Sequence, residues 1–373
     1  MTQREIDGPV HVNGKWLSRP VTGTERYAHE IMRYIVRGGA LRLLVHVPSD
    51  AIVPSWLAQG ADVVRHRSRG QLFEQLVLPF ATRGSYLINL GGPASLLKRK
   101  QLVTMHDAAV LRVPGSFSKA FVAWYRLMYK VLARSARDVV TVSDFSRGEL
   151  SAALGTPPDR WSVVPCGHEH FAALSAERPQ LPSGFREDEP FVLCVGTLAR
   201  HKNLLGPVRA MAEAGWKVLV VGAGGPAKVF ARDVELPMSA TILGRVSDEE
   251  LAWCYDRAFA LVFPSLYEGF GLPVVEAQSR GCLVVASQSG ALPDTVGNGG
   301  LLFPPQDADA LLACLARLRD DPEERRRLVS AGQRNLDRFR WDESAARVAD
   351  MVRRPDQPPR QRRFKIGKPH AAR

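Results

Sequence analysis

The stretch FPSLYEGFGLPVVEAQSRGCLVVAS, residues 263–287, runs from the end of one apolar strand pattern into the start of the next. A loop, SLYEGFG, follows the first strand, and Pro273 suits the first turn of a helix. Strand, loop, helix and second strand in this order are typical of a parallel βαβ unit. The pattern places Glu268 in the loop and Glu276 in the first helical turn.

The residue types in this stretch suit the binding of a phosphorylated sugar. Gly269 and Gly271 allow close backbone approach, and the first N–H groups of the helix, from Gly271 and Leu272, favour an anion. Two neighbouring carboxylates can accept hydrogen bonds from hydroxyl groups of a sugar and a ribose. From spacing alone a second interpretation stays open, in which Glu276 only complements the helix dipole and Glu268 is a solvated loop residue.

Strand and helix patterns alternate along the rest of the chain, which predicts an α/β fold with doubly wound parallel sheets. In the first half we predict helices at 24–37, 117–135 and 145–154, and strands at 41–47, 86–90, 101–105, 138–142 and 161–164. In the second half we predict strands at 191–195, 217–222, 240–243, 260–263 and 283–286, and helices at 203–214, 248–258, 273–280, 307–319 and 323–336.

The segment AALSAERPQLPSGFREDEP, residues 172–190, contains three prolines and a charge cluster, which indicates a domain boundary. We predict an N-terminal domain at 1–180 and a C-terminal domain at 181–341. A last helix at 342–354 is expected to pack back toward the first domain. The Pro- and Arg-rich tail, 355–373, is expected to be disordered.

Composition narrows the class of protein. The 373 residues are 45% hydrophobic and 24% charged, and no run approaches the roughly 20 apolar residues that cross a bilayer. Without a signal-peptide pattern, we expect a cytoplasmic location, with the inner face of the cytoplasmic membrane as an alternative. The five cysteines lie at least 28 residues apart, which favours buried free thiols. The spacing of metal-ligating residue types predicts neither a metal site nor a cofactor.

Charge is distributed unevenly. Residues 1–180 contain 23 Lys or Arg and 14 Asp or Glu, residues 181–351 contain 19 and 23, and residues 352–373 contain 8 and 1. A basic first half is compatible with docking on an anionic membrane and equally with an ordinary solvated surface. Nucleic acid is not expected as a partner, because no reading motif accompanies the charge.

Several segments resemble the retaining glycosyltransferases of family 4, which have the GT-B fold of two facing Rossmann-like domains. EGFGLPVVEA (268–277) resembles the Glu, seven residues, Glu signature of that family. The resemblance spans roughly residues 10–350 and includes further segments in the family's order: RPVTGTERYAHEI (19–31), TMHDAAV (104–110), TVSDFSRGEL (141–150), VVPCG (163–167), VGTLARHKNL (195–204), ILGRVSDEEL (242–251) and SGALPDTVGNGGLLFPPQDADAL (289–311).

The resemblance implies that the domain at 1–180 binds the acceptor and that the domain at 181–341 binds the nucleotide sugar. It also implies roles for single residues on the donor side. Lys202 resembles the lysine that neutralises the donor diphosphate, and Arg200 is expected to help it. The family often has an arginine immediately before this lysine, where this chain has His201, which we interpret as a bystander. Glu268 resembles the glutamate facing the donor sugar, and Glu276 the one binding the ribose. Further predicted donor contacts are Gly23, Thr197, Gly244, Val246, Gly269, Phe270, Gly271 and Leu272.

On the acceptor side, His106 ends the strand pattern LVTMH and resembles the family's histidine near the reaction centre. We predict His106, Lys202 and Glu268 as catalytic and Asp107 as an acceptor contact. Ser143 in VSDFSR has a role at the cleft or as a helix cap, and Arg147 has a role at the cleft or on the surface.

The implied reaction is metal-independent transfer of a hexose from a nucleotide-sugar donor with retention of configuration. The first-half motifs resemble polysaccharide-assembly enzymes, so we expect mannose from GDP-mannose and a glycan or lipid-linked oligosaccharide as acceptor. Alternatives are a catalytically inactive GT-B scaffold subunit and another GT-B enzyme, such as a sugar-nucleotide epimerase or a phosphorylase.

Overall fold

The computed structural model describes residues 8–39, 41–92, 94–183, 185–222 and 240–354. Two separate parallel sheets form the framework. The strands of the first sheet are β1 (Val10–Asn13), β2 (Leu43–Val47), β3 (Asp62–Arg65), β4 (Leu87–Asn89), β5 (Gln101–Thr104), β6 (Asp138–Thr141) and β7 (Trp161–Val163). Those of the second are β8 (Phe191–Val195), β9 (Lys217–Val221), β10 (Ala240–Gly244), β11 (Ala260–Phe263), β12 (Val284–Ser287) and β13 (Leu301–Phe303).

Both sheets have the doubly wound strand order. The first reads β3-β2-β1-β4-β5-β6-β7 and the second β10-β9-β8-β11-β12-β13. In register, Val12 lies opposite Val45, and Leu261 lies opposite Leu193. The order reverses between β1 and β4 and between β8 and β11, and ligands of such folds bind at the carboxyl ends of the strands beside these reversals. The predicted fold class is confirmed.

Helices cover both sheets. Those between the strands of the first domain are α1 (Gly23–Gly38), α2 (Ser55–Gly60), α3 (Gly70–Leu72), α4 (Leu78–Ala81), α5 (Ala109–Arg112), α6 (Lys119–Ser135) and α7 (Asp144–Leu154), and α8 (Glu169–Ala172) follows β7. A π-helical turn, Phe73–Val77, joins α3 to α4, so the three pieces form one continuous helix, called helix 70–81 below.

The second domain contributes α9 (Leu205–Glu213), α10 (Asp248–Arg257), α11 (Leu272–Ser279), α12 (Leu292–Val296), α13 (Ala308–Asp320), α14 (Pro322–Asn335) and α15 (Trp341–Arg353). Local sequence sets several of their ends. Ser247 and Glu250 form a reciprocal capping box at the start of α10, and Asp321 accepts hydrogen bonds from two N–H groups at the start of α14.

The last helix returns to the first domain. Trp341, Val348 and Val352 of α15 belong to the same buried cluster as Tyr27 and Ile31 of α1. Burying side chains of this size stabilises a fold by about 1.5–3 kcal/mol each. The second domain is therefore attached to the first by a helical strap as well as by the connection between β7 and β8. The predicted basic tail, 355–373, lies outside the described residues.

Polar side chains pair inside the first sheet. The imidazole nitrogens of His11 and His46 lie 2.8 Å apart, and those of His46 and His66 lie 2.9 Å apart. Asn13 donates to Asn89 Oδ1 at 3.0 Å. These pairs satisfy groups that burial would otherwise penalise.

The five cysteines are free, as predicted, and four of them are buried, whereas Cys314 is partly exposed. Among the described helices, none combines the length and the apolar character needed to cross a membrane.

Candidate active site

The loop between β11 and α11 lies at the carboxyl edge of the second sheet. Gly271 caps α11 with a φ of 96°, a conformation that favours glycine, and an added Cβ would lie 2.6 Å from a methyl group of Leu292. The helix begins at Leu272, with Pro273 second, so Glu276 is its fifth residue. Glu276 was predicted in the first turn, and it lies just beyond that turn because the helix starts one residue before the proline.

Lys202 and Glu268 meet in front of this loop. The Lys202 ammonium forms an ion pair with Glu268 Oε1, and Ser265 Oγ donates to the same oxygen at 3.1 Å. Asn203 fixes the lysine's backbone, since its Nδ2 donates to the carbonyls of Pro264 and Pro305 at 3.1 and 2.7 Å. Two residues predicted to be catalytic are therefore in direct contact, from loops that are 66 residues apart in sequence.

Glu276 has different surroundings and is only 6% exposed. Its carboxylate accepts from the Tyr255 hydroxyl at 3.1 Å and lies 3.2 Å from His170 Nε2. The other nitrogen of His170 accepts from the Trp341 indole N–H at 2.9 Å, so Nε2 carries the ring proton and donates to Glu276. A chain of hydrogen bonds thus joins Glu276 to the helix that returns to the first domain.

Gly269 of the second domain contacts the first domain directly. Its carbonyl accepts from Ser143 Oγ at 2.5 Å and from Ser146 Oγ at 3.1 Å. A Cβ at position 269 would lie 2.5 Å from the Cβ of Asp107, so a larger residue would push the domains apart. Ser143 also caps α7 by accepting from the Ser146 N–H, so it has both of its proposed roles.

His106 and Asp107 follow β5 on the first-domain side. His106 Nε2 donates to the Leu90 carbonyl at 2.9 Å, and burial lowers the pKa of the imidazole to about 4, so the ring is neutral at pH 7. Asp107 Oδ1 accepts from the Ala109 N–H at 2.7 Å. Burial raises the pKa of Asp107, the negative charge of Glu268 adds to the rise, and Lys202 opposes it. These charges act on Asp107 across the cleft.

The start of α1 faces the loop after β10. Gly23 is the first residue of α1, and an added Cβ there would meet nothing within 4 Å, so space lies in front of it. Arg26 forms an ion pair with Asp248, and Arg245 Nη2 donates to the Val21 carbonyl at 3.5 Å. The structure therefore brings Gly23 close to the segment with the predicted donor contacts Gly244 and Val246.

Arg200 and His201, the two residues before Lys202, line an interdomain cavity. Arg200 lines an interdomain cavity of about 490 Å³ together with Gly115 and Ser116. The His201 ring stacks on Phe117 with centroids 6.0 Å apart, and burial together with the charge of Lys202 lowers its pKa.

The remaining predicted positions vary in exposure. Thr197 is exposed at the carboxyl end of β8, and Leu272 packs against the first domain's core. Phe270 is buried, with its ring edge-on to Phe339 at 5.3 Å. Arg147 is partly exposed and pairs with Asp144 at 2.7 Å within α7, so its side chain does not join the Lys202–Glu268 pair.

Sequence reasoning missed the groups that hold the two glutamates. Tyr255 and His170 hold Glu276, and Ser265 holds Glu268. Only Ser265 carries a local signal, since it lies three residues before Glu268 in the quoted loop. His170 and Tyr255 reach Glu276 from distant segments, which no spacing pattern reveals.

Comparison with known proteins agrees with this geometry in both halves of the chain. Residues 177–335 match the family described as Glycosyl transferases group 1, and residues 21–170 match Glycosyltransferase Family 4. The chain is 30% identical over 260 residues to O-antigen chain mannosyltransferase B of Escherichia coli, covering 65% of this chain and 67% of that protein.

A second relative matches over a longer span. The GDP-mannose-dependent alpha-(1-6)-phosphatidylinositol monomannoside mannosyltransferase of Mycobacterium tuberculosis is 26% identical over 385 aligned positions, covering 90% of this chain and 95% of that protein. Among solved structures, sucrose-phosphate synthase from Thermosynechococcus elongatus shares the fold, with a TM-score of 0.73 and 24% identity over 92% of this chain and 98% of that one. The chain belongs to glycosyltransferase family 4 and is a glycosyltransferase of the GT-B fold.

Proposed function

We propose that this glycosyltransferase moves mannose from GDP-mannose to a glycan or lipid-linked oligosaccharide during cell-surface polysaccharide synthesis, with retention of configuration and without a metal ion. The names of both relatives described above support mannose, and one of them specifies GDP-mannose.

The observation that carries the proposal is the contact between Lys202 and Glu268 beside the start of α11. Breaking the bond between the sugar's anomeric carbon and the diphosphate leaves negative charge on the phosphate oxygens and positive charge on the sugar ring. A cation and backbone N–H groups fixed beside that oxygen lower the barrier. Lys202 and the N–H groups after Gly271 are such groups.

The ion pair suggests how donor binding proceeds. In the structure the Lys202 ammonium is paired with Glu268. A diphosphate carries more negative charge than one carboxylate and would compete with Glu268 for this ammonium. Once Lys202 turns to the phosphates, Glu268 is free to accept hydrogen bonds from the sugar hydroxyls. Substrate binding thus gives each residue a new partner, the phosphates for Lys202 and hydroxyl donors for Glu268.

We propose that the acceptor attacks from the same face that the diphosphate leaves, with a departing phosphate oxygen taking the acceptor's proton. Asp107 is occupied by the Ala109 N–H, and His106 Nε2 by the Leu90 carbonyl. These contacts suit two groups that position the acceptor better than they suit a covalent nucleophile.

The acceptor side has a cavity of suitable size. Both domains line the interdomain cavity of about 490 Å³, which is bordered by Arg200, Leu198, Leu204, Val113 and Ser116. Apolar walls with one guanidinium suit an acceptor whose glycan is attached to a lipid through phosphate. We therefore place Arg200 on the acceptor side of the reaction.

The test is a panel of donors. Purified protein is mixed with GDP-mannose, UDP-glucose, UDP-galactose, UDP-N-acetylglucosamine or the bare nucleotides, and thermal stabilisation and donor hydrolysis are measured. GDP-mannose should raise the melting temperature and be hydrolysed slowly, and both responses should disappear in Lys202→Ala. A response to a UDP-sugar alone would replace mannose in the proposal. No response to any donor would favour an inactive scaffold, and a product still attached to nucleotide would indicate an epimerase.

A further inference from the structure

A buried ion pair lies where the strand order of the first sheet reverses. Lys15 follows the end of β1 by two residues, and its ammonium donates to Glu74 Oε2 at 2.6 Å. Asn13 at the end of β1 donates to Glu74 Oε1 at 3.3 Å and to Oδ1 of Asn89, at the end of β4, at 3.0 Å. Ligands of doubly wound sheets bind at this edge, beside such a reversal. The pair therefore lies where a ligand of the first sheet is expected.

Stability alone does not account for this pair. Glu74 is 1% exposed and Lys15 is 7% exposed. Burial raises the pKa of Glu74, and the charge of Lys15 opposes the rise. Taking two charges out of water often costs more free energy than their attraction returns, so a buried ion pair is weak evidence for stabilisation. Buried ionisable groups of this kind are frequent at functional sites.

The pair also has hydrogen-bonding capacity to spare. An ammonium group carries three N–H donors. Among the residues that the structure describes, Glu74 is the acceptor for Lys15, so two of these donors remain for a ligand. Glu74 itself belongs to the π-helical turn Phe73–Val77 of helix 70–81, and π-helical turns within helices occur frequently at functional sites.

Further polar groups surround the pair. Burial raises the pKa of Tyr125 to about 12, Arg19 opposes the rise, and Glu74 and Glu25 add to it. These three charges therefore lie close to the Tyr125 side chain. Arg19 Nη1 lies 3.6 Å from Glu25 Oε1. We call Lys15, Arg19, Glu25, Glu74 and Tyr125 together the switch-point cluster.

The switch-point cluster lies beside His106 at the reaction cleft. Burial lowers the pKa of His106, while the Leu90 carbonyl and the charge of Glu25 oppose that effect. Glu25 is in the first turn of α1, which begins at Gly23 beside open space. Gly92, two residues after Leu90, also borders open space, since an added Cβ would meet nothing within 4 Å. A ligand therefore has room to reach the cluster from the side of the cleft.

The mixture of charges identifies the kind of ligand. Glu74 and Glu25 would repel a free phosphate, and Lys15 and Arg19 would repel a metal cation. A sugar hydroxyl both donates and accepts hydrogen bonds, so neighbouring hydroxyls can accept from Lys15 and donate to Glu74. An uncharged sugar suits these groups better than an ion of either sign.

We propose that the switch-point cluster binds the sugar residue of the acceptor that receives the transferred hexose. Lys15 and Glu74 select the sugar by the positions of its hydroxyls. The inference rests on the proposed function and adds the residues that determine which acceptor sugar is used. Their role is to position the acceptor, whereas Lys202 and Glu268 act on the donor.

A row of aromatic rings joins the switch-point cluster to the interdomain cavity. The ring of Tyr125 stacks on Phe121 at 4.1 Å, and Phe121 stacks on Phe117 at 5.6 Å. Ser116, just before Phe117, lines the cavity with Arg200. An acceptor with its sugar at the switch-point cluster and its lipid phosphate near Arg200 would follow this row.

The test is a ligand-observed NMR titration of the full chain, with and without GDP. The probes are the methyl glycosides of mannose, glucose, galactose, rhamnose and N-acetylglucosamine. One glycoside should bind more tightly than the others, and Lys15→Met/Glu74→Gln should weaken its binding about tenfold or more, because both charged partners of its hydroxyls are lost. The melting temperature should stay the same or rise, because this variant leaves no unpaired ion and Gln retains an oxygen for Asn13.

The matched control removes an ion pair at the opposite edge of the same sheet. Arg42, just before β2, and Asp62, the first residue of β3, lie 3.8 Å apart and are exposed. Arg42→Met/Asp62→Asn should bind the glycosides like the parent chain. Stabilisation by GDP-mannose is measured in parallel and should be the same in the parent chain and both variants.

These measurements separate the inference from the proposed function. If GDP-mannose fails to stabilise the parent chain but Lys15→Met/Glu74→Gln still weakens the glycoside, the donor assignment fails and the inference stands. Equal glycoside binding by this variant and the parent chain overturns the inference, as does a parent chain that binds no glycoside or all five equally. A clear fall in the melting temperature of the variant also overturns it, because the pair then serves the fold.

Discussion

Glu268 and Glu276 are eight residues apart in one loop and helix, yet the protein holds them in opposite ways. Glu268 is held mainly by the charge of Lys202, with both side chains partly open to solvent. Glu276 is buried and held by two neutral donors, Tyr255 and His170. The first arrangement is easy to exchange for a ligand, whereas the second belongs to the fold. Under the proposed function, the difference predicts that Glu268 acts in the reaction and that Glu276 couples donor binding to stability.

The largest loss of activity is expected for Lys202→Ala. Loss of the cation that stabilises the leaving diphosphate should lower kcat/KM about 10² to 10³-fold. Because partly exposed ion pairs contribute little to stability, unfolding free energy should change by less than about 1 kcal/mol. Steady-state kinetics and urea unfolding measure the two quantities, with the exposed Lys130→Ala as control. A strongly destabilised Lys202→Ala would break the contrast between the two glutamates.

Glu276→Ala should weaken both activity and stability. Removing a charged acceptor for the ribose should raise the donor KM about 10- to 100-fold. The buried hydroxyl of Tyr255 and the N–H of His170 would lose their acceptor, which costs about 1–3 kcal/mol. Glu276→Gln, which retains one acceptor oxygen, should recover part of the stability. If Glu276→Ala is as stable as the parent chain, the carboxylate is not part of the fold.

Trp341→Phe tests the hydrogen-bond network of Glu276 through His170 rather than at the carboxylate itself. Phenylalanine keeps most of the buried ring but loses the N–H that holds His170 in its tautomer. We expect a loss of about 1 kcal/mol in stability and a rise in donor KM smaller than that of Glu276→Ala. Phe339→Leu is the control for packing alone. An unchanged donor KM would confine the role of Trp341 to stability.

The smallest change in the donor KM is expected for Arg200→Ala. Arg200 is exposed and lines the cavity assigned to the acceptor, so the donor KM should change by less than about threefold. The acceptor KM should rise more, and Arg209→Ala, another exposed arginine, should change neither. A large rise in donor KM would instead support the original prediction that Arg200 contacts the donor phosphates.

Much of the fold could be predicted from apolar runs. The predicted strands at 191–195 and 260–263 match β8 and β11 residue for residue. β1 was missed, because half of its four residues, His11 and Asn13, are polar and are buried only through partners on other strands. Helix 70–81 was missed because its outward leucines obscure the helical alternation of apolar and polar residues.

The candidate site was less predictable than the fold. Local motifs identified Lys202, Glu268 and Glu276, because each follows a strand that the pattern shows. The partner of each group could not be read from the sequence, since contacts such as His170 with Glu276 depend on how distant segments fold together. The start of α11 was placed one residue late, because proline was taken as its first residue and stands second.

The return of α15 to the first domain has a consequence for synthesis on the ribosome. The apolar side of α1, with Tyr27 and Ile31, is made early, but its partner α15 is translated only after the strands and helices of the second domain. The nascent first domain therefore keeps an incomplete core while the entire second domain is made. During that time chaperones can bind the exposed apolar side of α1. A chain truncated before Trp341 would keep that side uncovered permanently.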